Sequence, residues 1–272
     1  MALTVNTNIA SMSALNNLNQ SNRNLTGTLE RISTGLRINS AADDAAGLAV
    51  AENLDATTRS LGVAARNTND GIGIIQTAES AANETSNILK RMRELAVQAS
   101  SDTLGNDERA FIDQEVQALT QEIDRIAAVT EFNGVNLASG GVISVQVGVN
   151  NTAADQIDIN LGDLRSANLG VNGIDMTTSA GAGASLADID DALEAVGEAR
   201  SGYGATQNRL ESTLRHLENY QVNLASAESQ IRDADFAKEA SEMAKYQTMQ
   251  QAGIATLAQA TSISQAAIQL IG

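Results

Sequence analysis

The sequence contains no cysteine, no proline and no tryptophan. The absence of cysteine excludes disulfide bonds, thiolate metal ligands and thiol nucleophiles. The absence of proline lets helices run without interruption and removes slow prolyl isomerisation from folding. Aromatic residues make up only 2% of the chain, so its buried surface must come from Ala, Leu, Ile and Val. Such small aliphatic side chains suit thin helical bundles rather than a thick globular core.

The charge of the chain limits its partners. Acidic side chains outnumber basic ones by 33 to 17, which gives a net charge of −16. This charge repels phosphate backbones, so we expect no nucleic-acid partner. No stretch approaches the roughly 20 apolar residues of a membrane span, and we expect no membrane insertion. The first twenty residues lack the pattern of a secretory signal peptide, so we expect a protein that stays in the cytoplasm or leaves without a cleaved signal.

A heptad repeat without a charged or amide residue runs through the last third of the chain. Its members, which we call the rod seam, are Ile189, Val196, Tyr203, Leu210, Leu217, Leu224 and Ile231. A strict sevenfold repeat is typical of coiled-coil packing. At about 1.5 Å per residue this helix is roughly 65 Å long. A seam this narrow is not stable alone, so other helices must pack against it.

Two helical stretches in the first half of the chain are natural partners for the rod seam. One runs from residue 45 to about 100, with interruptions near Gly62 and Gly71, and the other follows a turn at 105–107. In both stretches apolar residues recur at steps of three and four. A bundle of these three helices buries all three apolar stripes. We therefore predict a mainly α fold built on a long helical coiled-coil bundle.

The periodicity changes after Phe132. Residues 142–149 and 156–161 alternate between apolar and polar or small side chains, which predicts a β-hairpin at about 142–161. Gly, Ala, Ser and Thr dominate 165–185, which predicts a surface loop or a short connector. The return helix that carries the rod seam follows this loop.

Both ends of the chain carry weakly amphipathic helical stretches, which we call the terminal arms. Polar joints at Ser33–Leu48 and Arg232–Phe236 separate the arms from the central helices. Helices with so thin an apolar stripe are weak alone, so each arm is either a fraying end or a segment that folds only against a partner. The apolar residues assigned to the arms are Leu18, Leu25, Leu29, Ile32 and Leu36 near the N-terminus, and Ile254 and Leu257 near the C-terminus.

The residues that most often carry chemistry are sparse. His216 is the only histidine, and it lies on the predicted return helix without a nucleophile motif nearby. A zinc site would need three carboxylates in addition, and no such cluster stands out. Asp43 and Asp44 are placed as first-turn acids of a new helix rather than as an acid–base pair. We therefore predict no catalytic, cofactor or metal site and no enzyme activity.

Several long motifs, in the same order along the chain, resemble bacterial flagellin. They are Asn6-Thr-Asn8, Ser33-Thr-Gly-Leu-Arg-Ile-Asn-Ser-Ala-Ala-Asp-Asp-Ala-Ala-Gly47, Arg93-Glu-Leu-Ala-Val-Gln98, Glu131-Phe-Asn-Gly-Val135, Gln250-Gln-Ala-Gly253 and Leu257-Ala-Gln-Ala260. The resemblance covers both ends and most of the length. It implies that the N- and C-terminal helices pair, that they form the core of a filament, and that they are disordered in the monomer.

The resemblance also implies a division into domains. Residues 1–42 and 236–272 form the two halves of an inner filament-core domain, and 43–235 form the rod domain with the hairpin, the loop and the return helix. Larger flagellins insert surface domains between the hairpin and the return helix. This chain has only about 165–185 there, so it resembles a short form without large outer domains.

The function implied by the resemblance is that of a structural subunit that polymerises into the flagellar filament for swimming motility. It implies unfolded export by the flagellar type III system and an extracellular location in the filament. The alternative is a hook–filament junction protein, which shares the design of the terminal arms. No cofactor is implied.

The resemblance further implies a set of partners. These are other copies of the chain, the flagellin export chaperone, the filament cap, hook–filament junction proteins and the Toll-like innate receptor of hosts. The receptor contacts carried over by matching motifs are Arg91, Leu95 and Glu115. Without the resemblance, the basic residues 90–93 are equally a solvated helix face with local pairing or a patch that docks an acidic surface.

Overall fold

The computed structural model describes residues 7–269, so the first residue of the motif that begins at Asn6 lies outside the described part. Five helices dominate the chain in the order α1 (Ile9–Thr34), α2 (Ala45–Ala99), α3 (Asn106–Val129), α4 (Ser179–Arg232) and α5 (Phe236–Gln269). Between α3 and α4 lie four strands, β1 (Glu131–Phe132), β2 (Val135–Asn136), β3 (Ser139–Gln146) and β4 (Gln156–Asp163), with a 3-10 turn at Ala153–Asp155. The mainly α fold with a small β-hairpin and paired terminal helices is confirmed.

The described chain falls into two compact units, and each of the long helices α2 and α4 contributes to both. One unit, the terminal unit, consists of the described parts of Met1–Ala56 and Asn223–Gly272. The other, the central unit, is Thr57–Val222. The predicted domain borders at 42/43 and 235/236 divide the chain by its place in the filament. The two compact units of the single chain do not test them, so they stay a prediction.

The central unit is built around one apolar cluster of α2, α3 and α4 side chains. Fully buried members include Ile75 and Met92 from α2, Ile123 from α3, and Ile189 and Leu210 from α4. Burying a branched aliphatic side chain contributes about 1.5–3 kcal/mol, and this cluster extends on α2 from Ile75 to Ala99. Five members of the rod seam, from residue 189 to residue 217, are buried, and the last two are half-buried.

The predicted interruptions of α2 near Gly62 and Gly71 are wrong, because the helix runs unbroken from Ala45 to Ala99. Gly71 serves close packing instead. A Cβ atom at this position would lie 3.1 Å from Cγ2 of Val145 and 3.4 Å from Cδ1 of Leu210. The missing side chain therefore lets the hairpin and α4 approach the same point of α2. A glycine within a helix costs about 1 kcal/mol in propensity, which the surrounding packing offsets.

The hairpin predicted at about 142–161 is formed by β3 and β4, which pair antiparallel from Ser139 opposite Asp163 to Gln146 opposite Gln156. It therefore begins earlier and ends later than the alternation indicated. One face is buried, with Val145, Ile157 and Ile159 in the core of the central unit. The opposite face includes Val142, which is exposed.

Residues 165–185 form the predicted connector only in their first part, and the alternative prediction of a surface loop is wrong. The last part is helical, since α4 begins at Ser179 and the Thr178 hydroxyl accepts a hydrogen bond from the Gly181 N–H at 3.0 Å as an N-cap. The first part belongs to a connector, residues 164–178, whose apolar side chains enter the core. Its buried members are Leu164, Leu169, Val171, Ile174 and Met176.

Side chains of α3 hold this connector in place. Asp124 accepts hydrogen bonds from the Ser166 N–H and hydroxyl at 2.9 and 2.8 Å. Asp113 accepts one from the Met176 N–H at 3.0 Å, and Gln117 donates one to the Ile174 carbonyl at 3.1 Å. Backbone groups that a short loop would leave without partners are thus satisfied, which allows the connector to be buried.

Tyr203 joins the hairpin to the return helix. Its ring is only 1% exposed, and its hydroxyl oxygen accepts a hydrogen bond from the Gly162 N–H at 2.9 Å. Burial raises the pKa of the Tyr203 phenol, and the Gly162 N–H opposes this rise. The folded protein therefore holds the phenol proton more tightly than the unfolded chain does.

We expect Tyr203→Phe to lower the free energy of unfolding by about 1–2 kcal/mol, because the Gly162 N–H loses its buried acceptor. Chemical denaturation followed by circular dichroism measures the difference. Tyr220→Phe is the matched control, since Tyr220 is 41% exposed and its loss of a hydroxyl leaves no buried group unpaired.

The same two variants test the raised pKa of the Tyr203 phenol. The contribution of the Tyr203 hydroxyl is fully present below about pH 10 and is lost as the pH rises, because the unfolded chain ionises first. Tyr203→Phe removes this alkaline decline in stability and Tyr220→Phe does not. Equal stability of the two variants at neutral pH would contradict the role given to Tyr203.

Candidate self-assembly surface

The terminal unit contains an antiparallel pair of helices formed by α1 and α5. At the start of α1, the side chain of Asn8 caps the helix by accepting a hydrogen bond from the Ser11 N–H at 3.0 Å. At the end of α1, Gly35 adopts a left-handed conformation with φ 74° and donates its N–H to the Arg31 carbonyl. Asp235 begins α5 by accepting hydrogen bonds from the N–H groups of Ala237 and Lys238.

Near Gly35, backbone hydrogen bonds connect the segment that follows α1 with the segment that precedes α5. Leu36 and Asp233 form an isolated antiparallel bridge, and the Ala234 N–H donates to the Gly35 carbonyl at 2.9 Å. The Arg37 N–H donates to the Arg232 carbonyl at 2.7 Å. These bonds fix where α1 ends relative to the start of α5.

Polar contacts then set the register of the two helices along their length. The Asn8 side-chain amide donates to the Ala260 carbonyl at 2.9 Å. Gln250 donates to the Asn22 side-chain oxygen at 2.7 Å. In each pair the two residue numbers add to nearly the same value, 268 and 272, as an antiparallel alignment requires.

The third register contact is an ion pair. Arg31 Nη1 lies 3.2 Å from Glu239 Oε1, and the Glu239 residue is only 6% exposed although it carries a charge. The second oxygen of this carboxylate is buried without a hydrogen-bond partner among the described residues. A buried carboxylate is costly unless a cation faces it, so Arg31 selects the one alignment of the helices that places it there.

Gly253 brings the two helices together in the middle of the pair. A Cβ atom at this position would lie 3.2 Å from Cδ1 and 3.7 Å from Cβ of Leu18. The glycine therefore gives Leu18 the space to lie directly against the backbone of α5. Small residues at a helix contact allow a short interaxial distance of this kind.

The pair leaves much of its apolar surface exposed. Of the residues predicted for the arms, Leu29 and Ile254 are exposed, while Leu18, Leu25, Ile32, Leu36 and Leu257 are half-buried. Further large apolar side chains that are 47–68% exposed are Ile9, Met12, Leu15, Phe236 and Met249. A helix pair with this much exposed apolar surface is typical of a surface that other chains cover.

The three residues predicted as receptor contacts lie together in the central unit. Arg91 Nη2 is 2.9 Å from Glu115 Oε1, which links α2 to α3, and Arg91 also pairs with Glu94. The hydrogen bonds that Arg91 donates to the Glu115 carboxylate raise the pKa of the Arg91 guanidinium. Leu95, one turn further along α2, is 2% exposed and belongs to the core cluster. The exposed part of this predicted contact therefore consists of the two charged side chains.

Sequence periodicity missed the polar contacts that align the arms. Asn8, Asn22 and Arg31 lie among the polar residues of α1, and nothing in their spacing distinguishes them from solvated positions. Their partners are more than 200 residues away in the chain. Only the return of the chain through α4 brings them within reach.

Within residues 7–269, no group of three or more His, Cys, Asp and Glu side chains is arranged to hold a metal ion. In that same part of the chain, no helix combines the length and the apolar character needed to cross a membrane.

Comparison with known proteins identifies matching families at both ends. Residues 5–142 match the family model described as the bacterial flagellin N-terminal helical region, and residues 186–271 match that of the bacterial flagellin C-terminal helical region.

Curated relatives match over nearly their whole length. The chain is 42% identical over 269 residues to the flagellin of Halalkalibacterium halodurans, a match that covers 98% of this chain and 99% of that protein. It is 40% identical over 305 residues to the flagellin of Bacillus subtilis, with the same two coverages. Among solved structures, the crystal structure of Bacillus cereus flagellin is similar with a TM-score of 0.50 and 29% identity, over 60% of this chain and 94% of that one.

We expect Gly253→Leu to weaken self-assembly, because the new side chain would collide with Leu18 and separate the two helices. Overpacking of this kind costs about 1–3 kcal/mol, which predicts at least a fivefold rise in the protein concentration needed for assembly. Sedimentation of assembled material at graded concentrations measures this threshold. Gln251→Leu is the matched control, since it adds the same side chain at an exposed position of α5; an equal effect of both variants would contradict the role of Gly253.

Proposed function

Because this chain belongs to the bacterial flagellin family and is a structural subunit of the flagellar filament, we propose that α1 and α5 are the part of each subunit that drives polymerisation. The observation that carries this proposal is the exposed apolar surface of the α1–α5 pair. Two helices with a thin apolar stripe do not bury enough surface to be stable alone, whereas copies packed side by side bury more. The full-length flagellin relatives favour this role over that of a hook–filament junction protein.

Folding of the arms is coupled to assembly in this proposal. In the free subunit the arms lack the neighbours that would cover residues such as Ile9, Met12 and Ile254. A segment that orders only on binding loses its conformational entropy at that step, and mass action stabilises it as copies accumulate. The monomer then stays easy to unfold, and the filament gains the order of its core.

The proposed division of labour follows the predicted domains. Residues 1–42 and 236–272 form the inner core of the filament, and 43–235 form the surrounding rod. The left-handed turn at Gly35 and the start of α5 at Phe236 support borders at these joints. Residues 1–6 and 270–272 belong to the proposed inner domain but lie outside the described part of the chain.

The subunit is exported unfolded by the flagellar type III system in this proposal and functions outside the cell in the filament. The absence of cysteine and proline supports this route, since no disulfide or slow isomerisation delays unfolding or refolding. The proposed partners during export and assembly are the flagellin export chaperone at the C-terminal arm, the filament cap and the hook–filament junction proteins. Their common requirement is an arm that is accessible before assembly.

The subunit acts by binding copies of itself, and we propose no catalytic activity for it. Subunits related by a rotation that does not close on itself form an open helix rather than a ring. The same surface is then repeated along the whole filament.

Recognition by the Toll-like innate receptor is proposed through Arg91 and Glu115. Both side chains are about half exposed, and their ion pair holds them in a defined orientation on α2 and α3. Leu95 contributes from beneath, because its packing fixes the turn of α2 that carries Arg91.

Limited proteolysis tests the coupling of arm folding to assembly. We expect protease to cleave the monomer near both ends and to spare residues from about 45 to 230, because only those residues have a large buried core of their own. In assembled filaments the arms become protected, and mass spectrometry of the fragments locates the cleavage sites. Equal protection of the arms in monomer and filament would contradict the proposal.

Reporter cells that carry the Toll-like receptor test the proposed contact at Arg91 and Glu115. We expect Arg91→Ala to reduce activation roughly tenfold, because it removes one exposed charge and leaves Glu115 without its partner. Arg125→Ala is the matched control, since Arg125 is also exposed and forms a comparable ion pair with Glu122 on α3. Circular dichroism establishes that both variants fold, and an unchanged response to the Arg91 variant would contradict this contact.

A further inference from the structure

Phe111 is an exposed aromatic side chain in a protein that has very few of them. It lies on α3 and is 71% exposed, although only three phenylalanines occur in the chain. Asp107 and Glu108, four and three positions earlier, lie on the same face of the helix. Neither has an ion-pair partner among the described residues. We call these three residues the Phe111 knob.

The knob lies at a rigid end of the central unit. Arg109, next to it in sequence, is buried and donates hydrogen bonds to the carbonyls of Ala99 and Ser101, both at 2.9 Å. These bonds close the turn between α2 and α3. A large apolar group held on a fixed backbone and left in water is typical of a binding site for another molecule.

A groove lies between the hairpin and α4 in the same unit. Its apolar floor is formed by Leu61, Ile157 and Leu217, and its volume is about 690 Å³. One wall is the loop that follows β3, and the other is the stripe Arg209, Thr213, His216 and Tyr220 of α4. The imidazole of His216 stacks on the Tyr220 ring with centroids 6.1 Å apart. We call this site the hairpin groove.

One charged group of the hairpin groove, the Arg209 guanidinium, is complementary to the carboxylates of the knob. Arg209 is exposed and has no ion-pair partner among the described residues. The carboxylate of Asp155, which also lines the groove, accepts a hydrogen bond from the Thr152 hydroxyl at 2.6 Å. Arg209 is therefore available to a carboxylate from another chain.

The knob and the groove lie at opposite ends of the central unit. The Arg91–Glu115 pair aligns α2 with α3, which places Phe111 at the level of Leu95. Leu61, in the floor of the groove, precedes Leu95 on α2 by 34 positions (95 minus 61), or roughly 50 Å of helix. A knob at one end and a groove at the other allow copies to stack head to tail.

We propose that the Phe111 knob of one subunit inserts into the hairpin groove of a second copy of this chain, with Glu108 facing Arg209. This inference rests on the proposed function and names a contact that continues the polymer through the central unit. A knob that fits a pocket elsewhere on the same protein generates a non-closing assembly, as a filament requires.

Another groove of the central unit is less suited to the knob. The flank groove, lined by Gly73, Thr77, Val129 and Phe132, has a volume of about 750 Å³ and also offers apolar surface. However, Glu84 and Glu131 line it, and they would repel Asp107 and Glu108. It also lies nearer the middle of α2, so its use would shift neighbouring copies by a shorter distance.

Cross-linking in filaments tests the contact directly, because the chain has no cysteine of its own. Phe111→Cys combined with Thr213→Cys, treated with a short bismaleimide, is expected to give a ladder of covalent oligomers. Phe111→Cys combined with Thr77→Cys is the matched control, since Thr77 is an equally half-buried threonine in the flank groove. Each single variant is expected to remain monomeric on a denaturing gel.

Three results would overturn the proposal. A ladder only from the variant with Phe111→Cys and Thr77→Cys would show that the knob binds in the flank groove. Dimers from Phe111→Cys alone would indicate a symmetric contact between two knobs. If the variant with Phe111→Cys and Thr213→Cys forms filaments but gives no ladder, the knob and the hairpin groove are not in contact. Failure of the wild-type chain to elongate filament seeds would instead contradict the proposed role of the arms, so the two failures are distinguishable.

A charge exchange provides an independent measurement. We expect Arg209→Glu to slow seeded elongation about fivefold, through repulsion of Glu108. Glu108→Arg is expected to slow it similarly, and the two changes together restore most of the rate. Arg215→Glu is the control, because it makes the same change at an exposed position of α4 outside the groove. Absence of rescue in the double variant, with all variants equally stable to heat, would overturn the pairing.

Discussion

Close approach of helices over small side chains is the constraint on which this structure depends. A chain with few aromatic residues and no tryptophan has no large side chains to fill wide gaps, so its helices must lie near one another. Gly71 meets this condition in the central unit, where α4 and the hairpin converge on α2, and Gly253 meets it in the terminal unit. Elsewhere alanines such as Ala82 and Ala192 are fully buried at the helix contacts.

This constraint explains how much the sequence could predict. The heptads of the rod seam have a period that only a buried helix stripe produces, so the bundle and the burial of residues such as Ile189 and Leu210 follow from pattern alone. The hairpin is equally visible, because alternation in β4 has period two. Composition, by contrast, misrepresented the stretch 165–185. Its glycines and serines resemble a loop, yet side chains of α3 satisfy its backbone and Ala182 packs in the core.

The aligned arms could be predicted only in outline. Their apolar stripes indicated weak helices that need a partner, and the resemblance to flagellin identified the partner as the other end of the chain. Their register depends on Arg31, Glu239 and a few amide side chains whose spacing carries no signal. Apolar contacts along thin stripes tolerate sliding, whereas a buried carboxylate tolerates one position. Polar residues therefore provide the specificity and apolar residues provide the affinity.

The nearly constant sum of residue numbers across α1 and α5 has a consequence for how such a sequence can evolve. An insertion of one residue within α1 would shift Asn8 out of step with Ala260 while leaving Arg31 opposite Glu239. Every such change in one arm needs a compensating change in the other arm, at the position that faces it in the antiparallel pair. Length variation is therefore expected to accumulate away from the arms, in segments whose residues have no partner in a distant part of the chain.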